Sequence, residues 1–298
     1  MIINGVLIDD AYAEAFSMKA TRILITAHNL EWAYHAATAA TGFATSVIAC
    51  GCEAGIEREL GRAETPDGRP GVSVLLFATS AKELAKQLER RVGQCVLTSP
   101  TSAVFAGGEE GEPLPLGKLL RYFGDGFQMS KMIGGRRYWR IPVMDGDFLV
   151  QDTSEMVSAV GGGNFLVLAA SLEQTLEACA AAVAAMRQVR NVIMPFPGGV
   201  VRSGSKVGSK YPALRASTND AFCPTIRGIT ATQLTPDIGA VLEIVIDGLT
   251  PADIAAAMRV GIGAAVALGA ERGVRRISAG DYGGKLGKHH FRLHEIMA

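Results

Sequence analysis

The chain has 298 residues, 48% hydrophobic and 19% charged, a balance that supports a sizeable buried core and excludes an intrinsically disordered polymer. Its 29 basic and 29 acidic side chains cancel, so no global field recruits nucleic acid or an anionic membrane surface. No apolar run reaches the roughly 18 residues that would cross a bilayer, and the first residues carry acids where a secretory signal is basic, so the cytoplasm is the expected location.

Apolar periodicity then divides the chain into two halves of similar plan. Residues 23–26 read as a strand, 29–41 as a helix and the apolar run 46–50 as a second strand. A polar insert leads to a strand at 72–77, a helix at 81–92 with Leu84, Leu88 and Val92 on one face, and a closing strand at 95–98. In the second half the corresponding stretches are strand 164–169, the alanine-rich helix 172–189, an apolar segment 192–196, strand 241–246, helix 251–268 and strand 274–278. Thr250 is a plausible cap for the last helix, with Pro251 as its first residue.

The order strand, helix, strand, strand, helix, strand predicts an α+β chain of duplicated ferredoxin-like (split βαβ) lobes, each an antiparallel sheet with helices on one face. The expected lobes are residues 1–146 and 147–298, with the boundary inside the stretch 140–152. Each sheet would leave one face to be covered, by the other lobe, by long inserts or by another subunit, which predicts an oligomer.

Two features point to chemistry. Residues 178–219 contain no Asp or Glu yet carry Arg187, Arg190, Arg202, Lys206, Lys210 and Arg215, as if an anion visits them. The glycine, serine and lysine residues of 195–210 suit close approach to a phosphate or carboxylate, although a solvated surface loop has the same composition. The second feature is Glu243 in the apolar run Val241, Leu242, Glu243, Ile244, Val245, Ile246. Strand alternation sets it on the face of Val241 and Val245. Buried there, its carboxyl would stay protonated and could donate a hydrogen bond to an oxyanion; at a strand end it would simply reach solvent.

Other patterns carry less. The five cysteines Cys50, Cys52, Cys95, Cys179 and Cys223 are too scattered for a disulfide framework, and Cys50 and Cys52 lack the partners for a metal site. His289 and His290 would point to opposite faces of a strand. The glycine clusters lack the context of a dinucleotide or nucleoside-triphosphate motif.

Several long segments resemble the formylmethanofuran:tetrahydromethanopterin formyltransferase family: INGVLIDDAYAEAF at 3–16, TGFATSVI at 41–48, ETPDGRPGV at 64–72, GQCVLTSPT at 93–101 and FGDGF at 123–127. They continue with GGNF at 162–165, PFPGGVVRSGSKVGSK at 195–210, ASTNDAFCPT at 216–225, EIVIDG at 243–248, AMRVGI at 257–262 and SAGDYGGKLG at 278–287. Almost the whole chain is covered, the polar connection 107–120 excepted.

The resemblance implies formyl transfer between a methanofuran-type amine and tetrahydromethanopterin or its dephospho form, through a tetrahedral intermediate. Both would be carrier substrates, with no metal and no permanently bound cofactor. It implies Glu243 as the protonated oxyanion donor, in agreement with the strand pattern, and Asn164, Lys206, Lys210, Ser217, Thr218, Asn219 and Asp220 as carrier contacts. A homo-oligomer, dimer or tetramer, is implied, with other subunits of a formyltransferase/hydrolase complex as further partners. A docking subunit of such a complex with little activity of its own is the alternative; a ferredoxin-like small-molecule sensor is a third reading that the fold alone allows.

Overall fold

The computed structural model describes residues 1–108 and 110–298. Glu109, inside the polar connection 107–120, lies outside the described residues. The chain is α+β and forms two compact units, one of Met18–Ala159 and one of Met1–Ser17 with Val160–Ala298.

In the unit Met18–Ala159 four strands stand side by side in the order Glu53–Leu60, Gly71–Ala78, the 18–26 part of Tyr12–Thr26, and Ala103–Ala106, with antiparallel neighbours throughout. The sheet continues through Gly146–Gln151, Arg136–Val143 and Met129–Ile133. The helices Leu30–Thr41 and Ala81–Arg91 bury Ala33, Ala36, Ala37, Ala40, Leu84 and Leu88 against Ile23, Ile25, Val72, Val74 and Leu76. Small alanines on the first helix let it lie close to the sheet. Asn29 and Ser80 cap the two helices, each side-chain oxygen accepting a first-turn backbone N–H.

The other unit repeats the plan. Its four strands run Val192–Ile193, Ala240–Gly248, the 160–169 part of Thr153–Ala169, and Val274–Ser278, again all antiparallel. The helices Leu172–Met186 and Pro251–Ala267 cover one face, burying Phe165, Val167, Leu242, Ile244, Ile246 and Ile277. Thr250 caps the second helix as expected: Asp253 N donates to its Oγ1 at 3.1 Å, and Thr250 N donates to Asp253 Oδ2 at 3.0 Å.

Three expectations change. Residues 46–50 are a helical turn begun by Ser46, and the second strand is Glu53–Leu60; four apolar residues carry no period that could decide between the two. Residues 95–98 are likewise no strand, because the helix Ala81–Arg91 runs on into a wider turn, Val92–Val96, and the strand is Ala103–Ala106. The compact units also differ from the consecutive segments 1–146 and 147–298. Val6–Ile8 pairs in parallel with Val274–Ser278, Leu7 against Arg276, and His289–Arg292 pairs with residues 12–15, so the first 17 residues join the C-terminal unit.

Candidate active site

The strand Ala240–Gly248 sends Leu242, Ile244 and Ile246 into the helix-covered core, and Glu243 to the opposite face. Leu166 is the direct partner of Glu243 on one side and of Ser278 on the other, so these three side chains form a row on the helix-free face. That face is roofed by the long excursion after residue 219, whose Leu234 and Ile238 pack on Leu166 and Leu168. Glu243 is therefore only 7% exposed. Burial disfavours its charged form and pushes the carboxyl up to about 7.

On its other side, Glu243 exchanges backbone hydrogen bonds with Val201, which brings the glycine-rich segment 195–210 alongside. A cavity of about 640 Å³ opens there, bordered by Glu243, Leu166, Ser205, Lys206, Asn219, Phe222, Arg276, Ser278 and the turn 279–283. Asp9 and Asp10 also border it.

The two cations on this wall already hold carboxylates. Lys206 Nζ lies 2.6 Å from Asp220 Oδ1, and its hydrogen bond holds the Asp220 carboxyl below the usual range. Arg276 grips Asp9 with Nε at 2.8 Å and a terminal nitrogen at 2.7 Å, and donates to the Gln233 carbonyl at 2.8 Å. With Asp9, Asp10 and Asp281 on the lining against Lys206 and Arg276, the cavity is mixed in charge. The sequence suggested a cationic cradle; the acids that balance it arrive from the start of the chain and from beyond residue 219.

Of the residues singled out from sequence, Glu243, Lys206 and Asn219 meet on the cavity wall, and Asp220 stands behind Lys206. Ser217 and Thr218 lie on the small hairpin Ser205–Val207 with Ala216–Thr218, where Ser217 Oγ donates to the Gly208 carbonyl at 2.8 Å and Thr218 is exposed. Lys210 is exposed on the connection of that hairpin and does not border the cavity. Asn164 is fully buried, its amide bonded to Gly280 N at 2.7 Å, Gly280 O at 3.2 Å and Gly162 O at 3.3 Å, which leaves it as a structural clamp. Asp9, Arg276 and Ser278 escaped the residue-by-residue reading. Their only signal was that two of them fall in the long segments 3–16 and 278–287; neither periodicity nor charge marked them.

Among the described residues no group of three or more His, Cys, Asp or Glu is arranged to hold a metal ion. No helix among them is long and apolar enough to cross a membrane.

The model of the family described as formylmethanofuran-tetrahydromethanopterin formyltransferase matches residues 1–143, and that of the family's proximal lobe matches 146–296. The chain belongs to this family. A relative from Methylococcus capsulatus that bears the family's name is 73% identical over 298 residues, with 100% of each chain covered. The family's enzyme from Methanosarcina barkeri superposes with a TM-score of 0.94 at 49% identity, covering 100% of both chains. A chain of the Methylorubrum extorquens formyltransferase/hydrolase complex, solved with methylofuran, gives a TM-score of 0.98 at 50% identity and covers 100% of this chain and 99% of its own.

Proposed function

We propose that this protein transfers a formyl group between a methanofuran-type amine and tetrahydromethanopterin. The single observation that carries the mechanism is the buried, unpaired-by-cation carboxyl of Glu243 at the cavity wall. The accepting nitrogen attacks the formyl carbon, and the carbonyl electron pair moves onto oxygen. The neutral carboxyl of Glu243 donates its O–H to that oxygen. Collapse returns the electron pair, breaks the bond to the first nitrogen, and the proton released by the attacking nitrogen ends on the leaving one.

An amide is exchanged for an amide, so the step runs in both directions. Holding the two carriers together would supply roughly 7 to 11 kcal/mol at best. A donor aimed at the developing oxyanion adds about 3 to 4 kcal/mol. No permanently bound cofactor enters this scheme; methanofuran and tetrahydromethanopterin are carrier substrates.

We infer further that both units are ferredoxin-like lobes produced by duplication. Identical strand order and helices between the first and second and the third and fourth strands support this. The exposed Tyr122, Phe123, Phe127, Met129 and Met132 support a homo-oligomer, dimer or tetramer. The relative in the Methylorubrum complex favours membership of a formyltransferase/hydrolase complex. Five free cysteines, three of them buried, suit the reducing cytoplasm. Glu243 in its cavity favours an active transferase over a docking subunit. Mixing purified protein with formylated furan carrier and reduced pterin tests this: formyl-pterin forms if the reading is right, and its absence with intact, folded protein contradicts it.

A further inference from the structure

The turn 279–283 on the cavity border is an unusual piece of backbone. Tyr282, at φ 43°, and Gly283 and Gly284, at 89° and 70°, are three successive residues in the left-handed region, where a tyrosine is strained. Such a run persists only if its surroundings fix it. Two fully buried polar side chains do so, one at each end. Asn164 Oδ1 accepts from Gly280 N at 2.7 Å while its Nδ2 donates to Gly280 O at 3.2 Å. The Glu14 carboxylate accepts from Gly284 N at 2.8 Å, from Gly287 N at 2.5 Å and from Leu286 N.

We propose that Glu14 and Asn164 are positioning residues that hold 280–287 as a fixed rim, and that this rim presents Asp281 and Tyr282 to the pterin carrier. Leu166 separates Glu243 from Ser278 in their row, so the backbone at Ser278, two residues before the rim, stands about two strand spacings, roughly 10 Å, from that at Glu243. A group at that range meets the body of a carrier and not its formyl carbon. Asp281 offers acceptors and Tyr282 an aromatic face, both on the cavity lining. Together they complement a flat ring with N–H donors, which describes the pterin better than the furan. This inference rests on the formyl-transfer reading and adds which part of the site selects the pterin.

The test compares wild type, Glu14→Gln and Tyr282→Ala in steady-state transfer, with direct pterin binding and amide exchange measured alongside. Glu14→Gln turns an N–H group toward backbone donors. It is expected to raise the pterin KM about tenfold or more, keep kcat within about threefold, leave the furan KM unchanged and speed exchange in 280–287 but not in 240–248. Tyr282→Ala, at a half-buried position, should raise the same KM even if Glu14→Gln fails to fold. A pterin KM within about twofold of wild type in Tyr282→Ala, or an equal rise for both carriers, overturns the proposal. Wild type that binds pterin but transfers no formyl counts against the activity reading instead, and the binding constants of the variants still decide the rim.

Discussion

Val201 and Glu243 are joined through both backbone pairs, Val201 N to Glu243 O at 2.7 Å and Glu243 N to Val201 O at 2.9 Å. The glycine-rich segment is thereby stitched to the strand at the residue whose carboxyl borders the cavity. Backbone bonds consume no side chain, so Glu243 keeps its acid group for a visitor. The same bridge explains how a polar segment and a buried acid, about 40 residues apart in sequence, come to share one site.

The protonation of Glu243 has a consequence for stability. Its folded carboxyl is raised from 4.5 to about 7, so between these values the folded chain binds a proton that the unfolded chain has lost. This group's contribution is fully present below about 4.5 and is lost as pH rises through 7. At about 1.4 kcal/mol per pH unit the loss is roughly 3 kcal/mol. Urea unfolding of wild type and Glu243→Gln should diverge accordingly: the variant gains on wild type by that amount between pH 4.5 and pH 8. Parallel stability curves would mean the carboxyl is ionised in the fold.

Arg276 and Asp9 are each mostly buried, with side chains 19% and 15% exposed. Removing one partner strands the other charge. We expect Arg276→Met alone to cost roughly 2 to 3 kcal/mol in urea unfolding, less than a fully buried pair would. Asp9→Ala combined with Arg276→Met should recover at least about 1 kcal/mol of that in a double-mutant cycle. Additive losses would show that the pair does not act as a unit.

Lys206 and Asp220 pair at the surface, where water screens them, so breaking their contact should leave the melting temperature almost unmoved. Reversing charge at Lys206 and Lys210 together should instead raise carrier KM and weaken its salt dependence. Within that double variant Lys206, on the cavity wall, should account for most of the change and the outlying Lys210 for little. Equal effects from the two single reversals would point to long-range steering.

Capping Thr250 provides a control remote from the cavity: Thr250→Ala should cost about 1 kcal/mol of stability, read by thermal or urea unfolding, and leave transfer kinetics at the wild-type level. A change in KM would mean that the helix transmits strain to the site.

These outcomes also mark what could be read from the chain alone. The four long helices were legible because each repeats apolar residues at helical spacing or begins at a capping side chain, as at Thr250. Glu243 was legible because one acid interrupts a run whose alternation fixes its face. The strand Glu53–Leu60 was not: five of its eight residues are Glu, Arg or Gly, and its partner strand Gly71–Ala78 supplies the burial instead. The hairpin strands Met129–Ile133 and Arg136–Val143 expose most of both faces, which leaves no alternation to detect. Asn164 looked like a carrier contact from its motif, and only the approach of Gly280, 116 residues later, reveals the clamp. Asp9 joined the site through the pairing of Leu7 with Arg276, a contact without a local signature.

The dependence of kcat/KM on pH, measured for wild type and Glu243→Gln, bears most directly on the neutral carboxyl. Wild type should hold a plateau below about pH 6 and fall as pH rises through 7, approaching tenfold per unit, because only the protonated acid can donate. Glu243→Gln should sit about 100-fold or more below that plateau and show no such fall. A variant that turns over at the wild-type rate, or a wild-type profile that climbs through pH 7, would contradict it.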